Sequence, residues 1–138
     1  MSQRTLAIIK PDAVKRRVAG EILGRIEKAG FRISAAKLVH LTKSEAEGFY
    51  AVHHEQSWFG ELTDFMSSGP CMPMVLEGEE IITRWRDLMG KTNPKEAAEG
   101  TIRKDLGTDI QCNVVHGSDA PQTAAFEMGY FFNALETV

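Results

Sequence analysis

The residue types best suited to chemistry gather in one stretch, Asn113-Val114-Val115-His116-Gly117-Ser118-Asp119. It reads as an apolar strand end, a histidine on a tight turn, and the start of a last helix. Gly117 is expected to relieve the backbone where the chain reverses. Asp119 with Gln122 has capping-box spacing ahead of Ala124, Phe126 and the Tyr130-Phe131-Phe132 run. This places an imidazole at a strand-to-helix corner, beside backbone N–H groups that favour anions. A neutral imidazole carries a lone pair near neutral pH and can attack an electrophile such as a phosphoryl group. The same heptapeptide is equally compatible with a histidine that only hydrogen-bonds in a turn.

An anion-handling site needs cations as well. The chain has no GxxxxGK[ST] loop and no GxGxxG fingerprint, so a phosphate site has to be assembled from scattered groups. Lys10, Arg86, Thr92, Arg103 and Asn113 all fall at predicted element ends or in a long loop, where distant parts of a chain converge. Arginine and lysine stay charged and donate several hydrogen bonds to phosphate oxygens. Singly, each is an ordinary solvated side chain, and Lys10 alone reads as a snorkelling lysine. His53 and His54 have no third ligand nearby and are expected to meet the last carbonyls of a helix rather than a metal. Cys71 and Cys112 lack CxxC spacing and read as free thiols in buried strands of a protein in a reducing compartment.

The elements that must position these groups follow in order. Arg4 to Lys10 is a nearly continuous apolar run stopped by Pro11, consistent with a central strand. From Asp12 the spacing of Val18, Ile22, Ile26 and Ala29 predicts one helix, closed by Gly30. Phe31 to Leu41 alternates as a second strand. Thr42-Lys43-Ser44-Glu45 is a capping box opening a helix through Phe49 and Tyr50. Trp58 and Phe59 precede a short helix, Glu61 to Met66, with one aromatic inward and the other a stacking surface. Cys71 to Leu76 reads as a third buried strand, in which Pro73 suggests a bulge or an edge. Glu79 to Met89 is a helix with Ile82, Trp85 and Met89 on one side. The long loop Gly90 to Gly100 leads to a helical turn at Thr101 to Leu106 and a fourth strand at Asn113 to Val115. This order suggests an α+β fold with a ferredoxin-like (βαββαβ-type) core: an antiparallel four-stranded sheet with additional helices, one face covered.

Composition sets the outer bounds. With 138 residues, 43% hydrophobic and 25% charged, the chain fits one domain with a real core and is not broadly disordered. A net charge of -3 gives no general support for duplex nucleic-acid binding, so any anion site is local. No apolar run approaches membrane-spanning length and no leader precedes the first strand, so no membrane role and a cytoplasmic location are expected.

Several motifs occur together in a fixed order: Ile8-Ile9-Lys10-Pro11-Asp12-Ala13, Gly48-Phe49-Tyr50, Ser68-Gly69-Pro70, Leu76-Glu77-Gly78, Gly90-Lys91-Thr92-Asn93-Pro94, Gly100-Thr101-Ile102-Arg103, and Asn113 to Asp119. In these the chain resembles the nucleoside diphosphate kinases along essentially its whole length, which implies that residues 1–138 form a single domain of that type. The resemblance implies that His116 takes the γ-phosphoryl of a nucleoside triphosphate and hands it to a nucleoside diphosphate, through a phosphohistidine. By the same resemblance, Glu127 holds the other imidazole nitrogen and Ser118 supports the site. Arg86, Thr92 and Arg103 hold the phosphates, with Mg2+ bridging phosphate oxygens more than it binds protein. Lys10 and Asn113 meet the sugar hydroxyls, Lys10 also lies near the transferred phosphate, and Tyr50 lines the site.

One departure concerns the base. The family pattern has a phenylalanine, preceded by Arg-Pro, where this chain has Trp58 after Gln56-Ser57. Tryptophan still offers an aromatic face, so Trp58, Leu62 and Ile110 are expected to clamp the base with broad specificity. A homo-oligomer is implied, with a short C-terminal tail contributing little to it. A catalytically silent nucleotide-binding module is the rival, but the full set of His116, Glu127 and phosphate ligands favours an enzyme. An RNA-binding sheet is disfavoured because no strand carries the RNP1 pattern.

Overall fold

The computed structural model describes residues 2–138. Strands β1 (Ser2–Ile9), β2 (Arg32–Ala36), β3 (Met72–Glu79) and β4 (Val115–Gly117) form one antiparallel sheet in the order β2-β3-β1-β4. Helices α1 (Pro11–Lys15), α2 (Ala19–Lys28), α3 (Lys43–Phe49), α4 (Phe59–Met66), α5 (Ile81–Met89), α6 (Ile102–Leu106) and α7 (Pro121–Phe131) surround it. This is the ferredoxin-like arrangement expected from the order of elements.

The sheet is covered on both faces, not one. Along β1, Ala7 and Ile9 join Met74, Leu76, Ile22, Ile26 and Trp85 on one side, while Leu6 and Ile8 join Val75, Phe49, Met66 and Phe131 on the other. Alternate side chains of a strand point to opposite faces, so a strand buried on both sides loses its polar positions and reads as a continuous apolar run. That is why β1 is apolar from Leu6 to Ile9.

Helix spacing alone does not separate α1 from α2. The stripe through Val18, Ile22 and Ile26 is correct, but Arg17 adopts φ 63° and breaks the path. Val18 N–H reaches the Ala13 carbonyl and Arg17 N–H the Val14 carbonyl, a Schellman closure built without glycine. β2 is shorter than expected, with an irregularity between Ile33 and Ala35, and pairing resumes at a Val39–Cys71 bridge. Pro73 lies in an inner strand and not at an edge. Its carbonyl accepts from Lys37 N–H just past the end of β2, where the missing return donor leaves no gap in the main ladder. β3 runs through Glu79, and Glu80 at φ 50° makes the corner into α5, so that helix starts two residues late. The Thr42–Glu45 capping box is present, with both of its hydrogen bonds made.

The C-terminal stretch differs most. β4 is Val115–Gly117, shifted from Asn113–Val115, so His116 lies within a strand opposite Ile8 and not on a turn. The reversal falls earlier, at Val114 with φ 65°. Gly117 is required by packing instead: a Cβ there would sit 2.7 Å from Trp85 Cδ1 and Nε1 and from Met89 Cε. Asp119 accepts from Thr123 Oγ1 at 2.7 Å, rather than pairing with Gln122, and α7 begins at Pro121. The first turn of α7 borders Ser2, Gln3 and Glu80. Both cysteines are free thiols; Cys71 is buried, while Cys112 is partly exposed in a bend outside the strands. Among the described residues no helix is long and apolar enough to cross a membrane.

Candidate active site

A cavity of about 630 Å³ opens where β1 ends and β4 begins, between the α3–α4 connection and the long loop after α5. Lys10, Tyr50, Trp58, Leu62, Arg86, Thr92, Arg103, Ile110, Asn113 and His116 all line it. Ser118 and Glu127 lie behind the imidazole rather than in the wall. Arg86, Thr92, Arg103 and Ile110 also border a neighbouring cavity of about 840 Å³ on the long-loop side.

His116 is held from three directions. Its carbonyl accepts from Trp85 Nε1 at 3.2 Å, and the ring meets Phe49 edge-on at 5.5 Å between centroids. Its Nε2 lies 2.9 Å from Glu127 Oε1, which also accepts from Ser118 Oγ at 2.7 Å. A carboxylate can only accept, so Nε2 carries the proton and Nδ1 keeps the lone pair. Nδ1 has no hydrogen-bond partner among the described residues. The ring is thus fixed, with one nitrogen engaged and a lone pair on the other.

The cations are brought together by different elements. Lys10 caps the end of β1, is 7% exposed, and donates from Nζ to Asn113 Oδ1 at 2.8 Å. Burial, with Arg103 nearby, pulls its ammonium down to about 8, although Asp12 and Cys112 oppose the shift. Asn113 Nδ2 donates to the carbonyls of Thr92 and Ile110, so one amide ties Lys10 to both loops. Arg103, on α6, donates from Nη1 to Gly90 O at 3.1 Å and from Nη2 to Val115 O at 2.8 Å. It braces the long loop against β4 while its Nε stays buried without a partner. Burial and the neighbouring Arg86 lower its guanidinium to about 10. Burial therefore leaves these cations poorly solvated, with their like charges close together. A polyanion would relieve this.

Tyr50 is buried, its hydroxyl has no hydrogen-bond partner, and burial pushes its ionisation up, so it stays a neutral phenol facing the cavity. At the far end Trp58 is 44% exposed, while Phe59 packs inward as expected. Trp58, Leu62 and Ile110 leave an apolar slot. His53 does not meet a helix-end carbonyl through its ring as expected: the ring lies 5.0 Å from that of Trp58 and lines the cavity. Only His54 meets a carbonyl, that of Ala51. Glu61, Gln111 and Gly117 also line the cavity, although the sequence pattern gives them no site role. The Gly60-Glu61 helix start beside Trp58 is the available signal for Glu61.

The chain is similar to known proteins along nearly its whole length. Residues 3–137 match the family model described as nucleoside diphosphate kinase. A nucleoside diphosphate kinase of Desulfosudis oleivorans is 62% identical over 134 residues, covering 97% of this chain and 96% of the relative. One from Nitratidesulfovibrio vulgaris is 59% identical over 138 residues, covering 100% and 99%. Among solved structures, the Aquifex aeolicus nucleoside diphosphate kinase superposes with a TM-score of 0.98 at 44% identity, covering all of both chains. A Halobacterium salinarum nucleoside diphosphate kinase in complex with CDP gives 0.96 at 36% identity, covering 100% of this chain and 92% of that one.

Proposed function

This chain belongs to the nucleoside diphosphate kinase family and is an enzyme of nucleotide phosphotransfer, and from that premise we propose that it works by a ping-pong cycle through a phosphohistidine on His116. The observation that carries this is the Glu127 contact to Nε2, which leaves Nδ1 to attack. The Nδ1 lone pair forms a bond to the γ-phosphorus of a nucleoside triphosphate, the bond to the bridging oxygen breaks, and the diphosphate leaves with that electron pair. In the second half a terminal oxygen of an acceptor diphosphate attacks the phosphorus and the N–P bond breaks. Glu127 and Ser118 keep the ring in one tautomer through both halves. Such transfer needs little covalent work beyond the nucleophile, so positioning and charge dominate.

Arg86, Thr92 and Arg103 hold the phosphates in this reading. Lys10 and Asn113 meet the sugar hydroxyls, with Lys10 near the transferred group and Tyr50 beside it. A magnesium ion brought in with the nucleotide would supply further neutralisation of the phosphate charge beside Arg86, Thr92 and Arg103. Among the described residues no group of three His, Cys, Asp or Glu is placed to hold a metal ion. The substrates are nucleoside tri- and diphosphates of broad base identity, since an apolar clamp is tolerant of which base stacks in it. We further propose a single domain over residues 1–138, assembled as a homo-oligomer in the cytoplasm, with no role for membrane or nucleic acid.

The decisive experiment incubates the protein with γ-labelled ATP and no acceptor. An acid-labile, base-stable label on the chain is expected; folded protein that takes no label is a binding module instead. The base clamp is tested separately. Trp58→Ala should weaken nucleotide binding by about 1–3 kcal/mol, because the base then has no indole face to stack on. Unchanged affinity by titration calorimetry would make Trp58 a packing residue only.

Lys10 gives a pH signature. Its folded-state value lies below its unfolded one, so between about 8 and 10.5 the unfolded chain holds a proton that the folded chain has released. In that window stability rises with pH, and the Lys10 contribution is fully present only above both values and is lost as pH falls through the folded one. Phosphate restores the charge, so binding draws a proton in and affinity falls as pH climbs through that window. Calorimetry of ADP binding near pH 9 in two buffers of different ionisation heat should report uptake of about one proton per site. No uptake would separate Lys10 from the bound phosphates.

A further inference from the structure

Lys10, Asn113 and His116 meet around a corner that no local sequence signal forces. Val114 is fully buried and sits at φ 65°, although it is β-branched. That conformation costs an L-residue about 1–2 kcal/mol, so the surroundings must impose it. They do so from the β1–α1 junction. Lys10 N–H donates to the Val114 carbonyl at 2.8 Å, and the Val114 amide donates to Asp12 Oδ2 at 3.2 Å, across 102 residues of sequence.

Asp12 does this at some cost to itself. Its other oxygen, Oδ1, is buried with no hydrogen-bond partner, and burial pushes its carboxyl up while Lys10 pulls it back down. A half-satisfied carboxylate is a poor choice for stability alone. The acceptor it supplies is nevertheless the one found for the Val114 amide, which would otherwise be a buried donor without a partner.

We propose that Asp12 is a positioning residue of this site: its carboxylate pins the Val114 amide, and through that corner it aims Asn113 at Lys10 and sets the entry of His116 into β4. The inference rests on the phosphoryl-transfer reading of His116 and adds to it a residue that touches no substrate. Its negative charge also acts on Lys10. Among the groups facing that ammonium, Arg103 disfavours its charge, whereas Asp12 and Cys112 favour it. Removing the charge of Asp12 therefore changes something that packing alone does not.

Two substitutions in the full chain separate the effects. Asp12→Asn keeps an oxygen for the Val114 amide but no charge. It is expected to fold normally and to move both the basic limb of kcat/KM and the proton uptake on ADP binding to lower pH, by about half a unit or more. Asp12→Ala strands the amide and is expected to lower kcat/KM about 10- to 100-fold, mainly through kcat. The proposal is overturned if the Asn variant gives an uptake profile superimposable on the parent, or if the folded Ala variant keeps kcat/KM within about twofold. Should Asp12→Ala not fold, the Asn uptake profile decides alone. A parent chain that takes no label from γ-labelled ATP would instead overturn the transfer reading, while uptake on ADP binding still reports on Asp12 and Lys10.

Discussion

His116→Ala is expected to abolish turnover, with a loss in kcat of about 10⁴- to 10⁶-fold, the scale seen when a covalent nucleophile is removed. Nucleotide affinity should change little, because the cations, Asn113 and the Trp58 slot belong to other elements. The fold should survive as well. Glu127 Oε1 retains the Ser118 hydroxyl as donor, and the backbone of β4 keeps its pairing with Ile8 and its bond from Trp85. Stopped-flow or coupled assays give the rate, and calorimetry gives the affinity. Turnover within about a hundredfold of the parent would place the nucleophile elsewhere.

Gly117→Ala acts on the same ring from behind. The added methyl would lie 2.7 Å from two atoms of the Trp85 indole and from Met89 Cε. The methionine end can swing away, but the indole is fully buried and is tied through Nε1 to the His116 carbonyl. Overpacking of this kind costs about 1–3 kcal/mol, a fall in Tm of several degrees for a chain this size. Relief by moving Trp85 breaks the bond that registers His116, and a displacement near 1 Å at a nucleophile costs about 10²-fold in rate. Thermal unfolding and kcat should therefore fall together while nucleotide affinity holds. A variant melting within a degree of the parent would show that the pocket around Gly117 yields freely.

The contrast between these two residues shows what a one-dimensional reading can reach. His116 stands out because histidine has few rivals as a nucleophile near neutral pH, and its neighbours in the wall are polar groups at element ends. The Thr42–Glu45 cap is legible because both partners lie within one turn. Where the chain reverses is not. A glycine at 117 suggests the turn, yet the left-handed residue is Val114, and its conformation is decided by Lys10 and Asp12 far away in sequence. Likewise Arg17 closes α1 without the glycine that usually marks such an end, so two helices look like one. His53 looks like part of a helix terminus because its partner, Trp58, is reached only after an intervening irregular segment. Local signals report backbone preferences; they carry no information on contacts made across the fold.

The two halves of the cavity are anchored very differently. Lys10 and His116 extend from β1 and β4, whose pairing is locked between two apolar layers. The indole of Trp58 hangs instead on the stretch from Ala51 to Ser57, where nearly every residue is open to solvent. Segments with so few buried contacts open at a small fraction of the free energy needed to disturb a central strand. In the proposed cycle one spent nucleotide is swapped for the next by a local loosening at the base end, like a turnstile beside a fixed post, while the imidazole keeps its register.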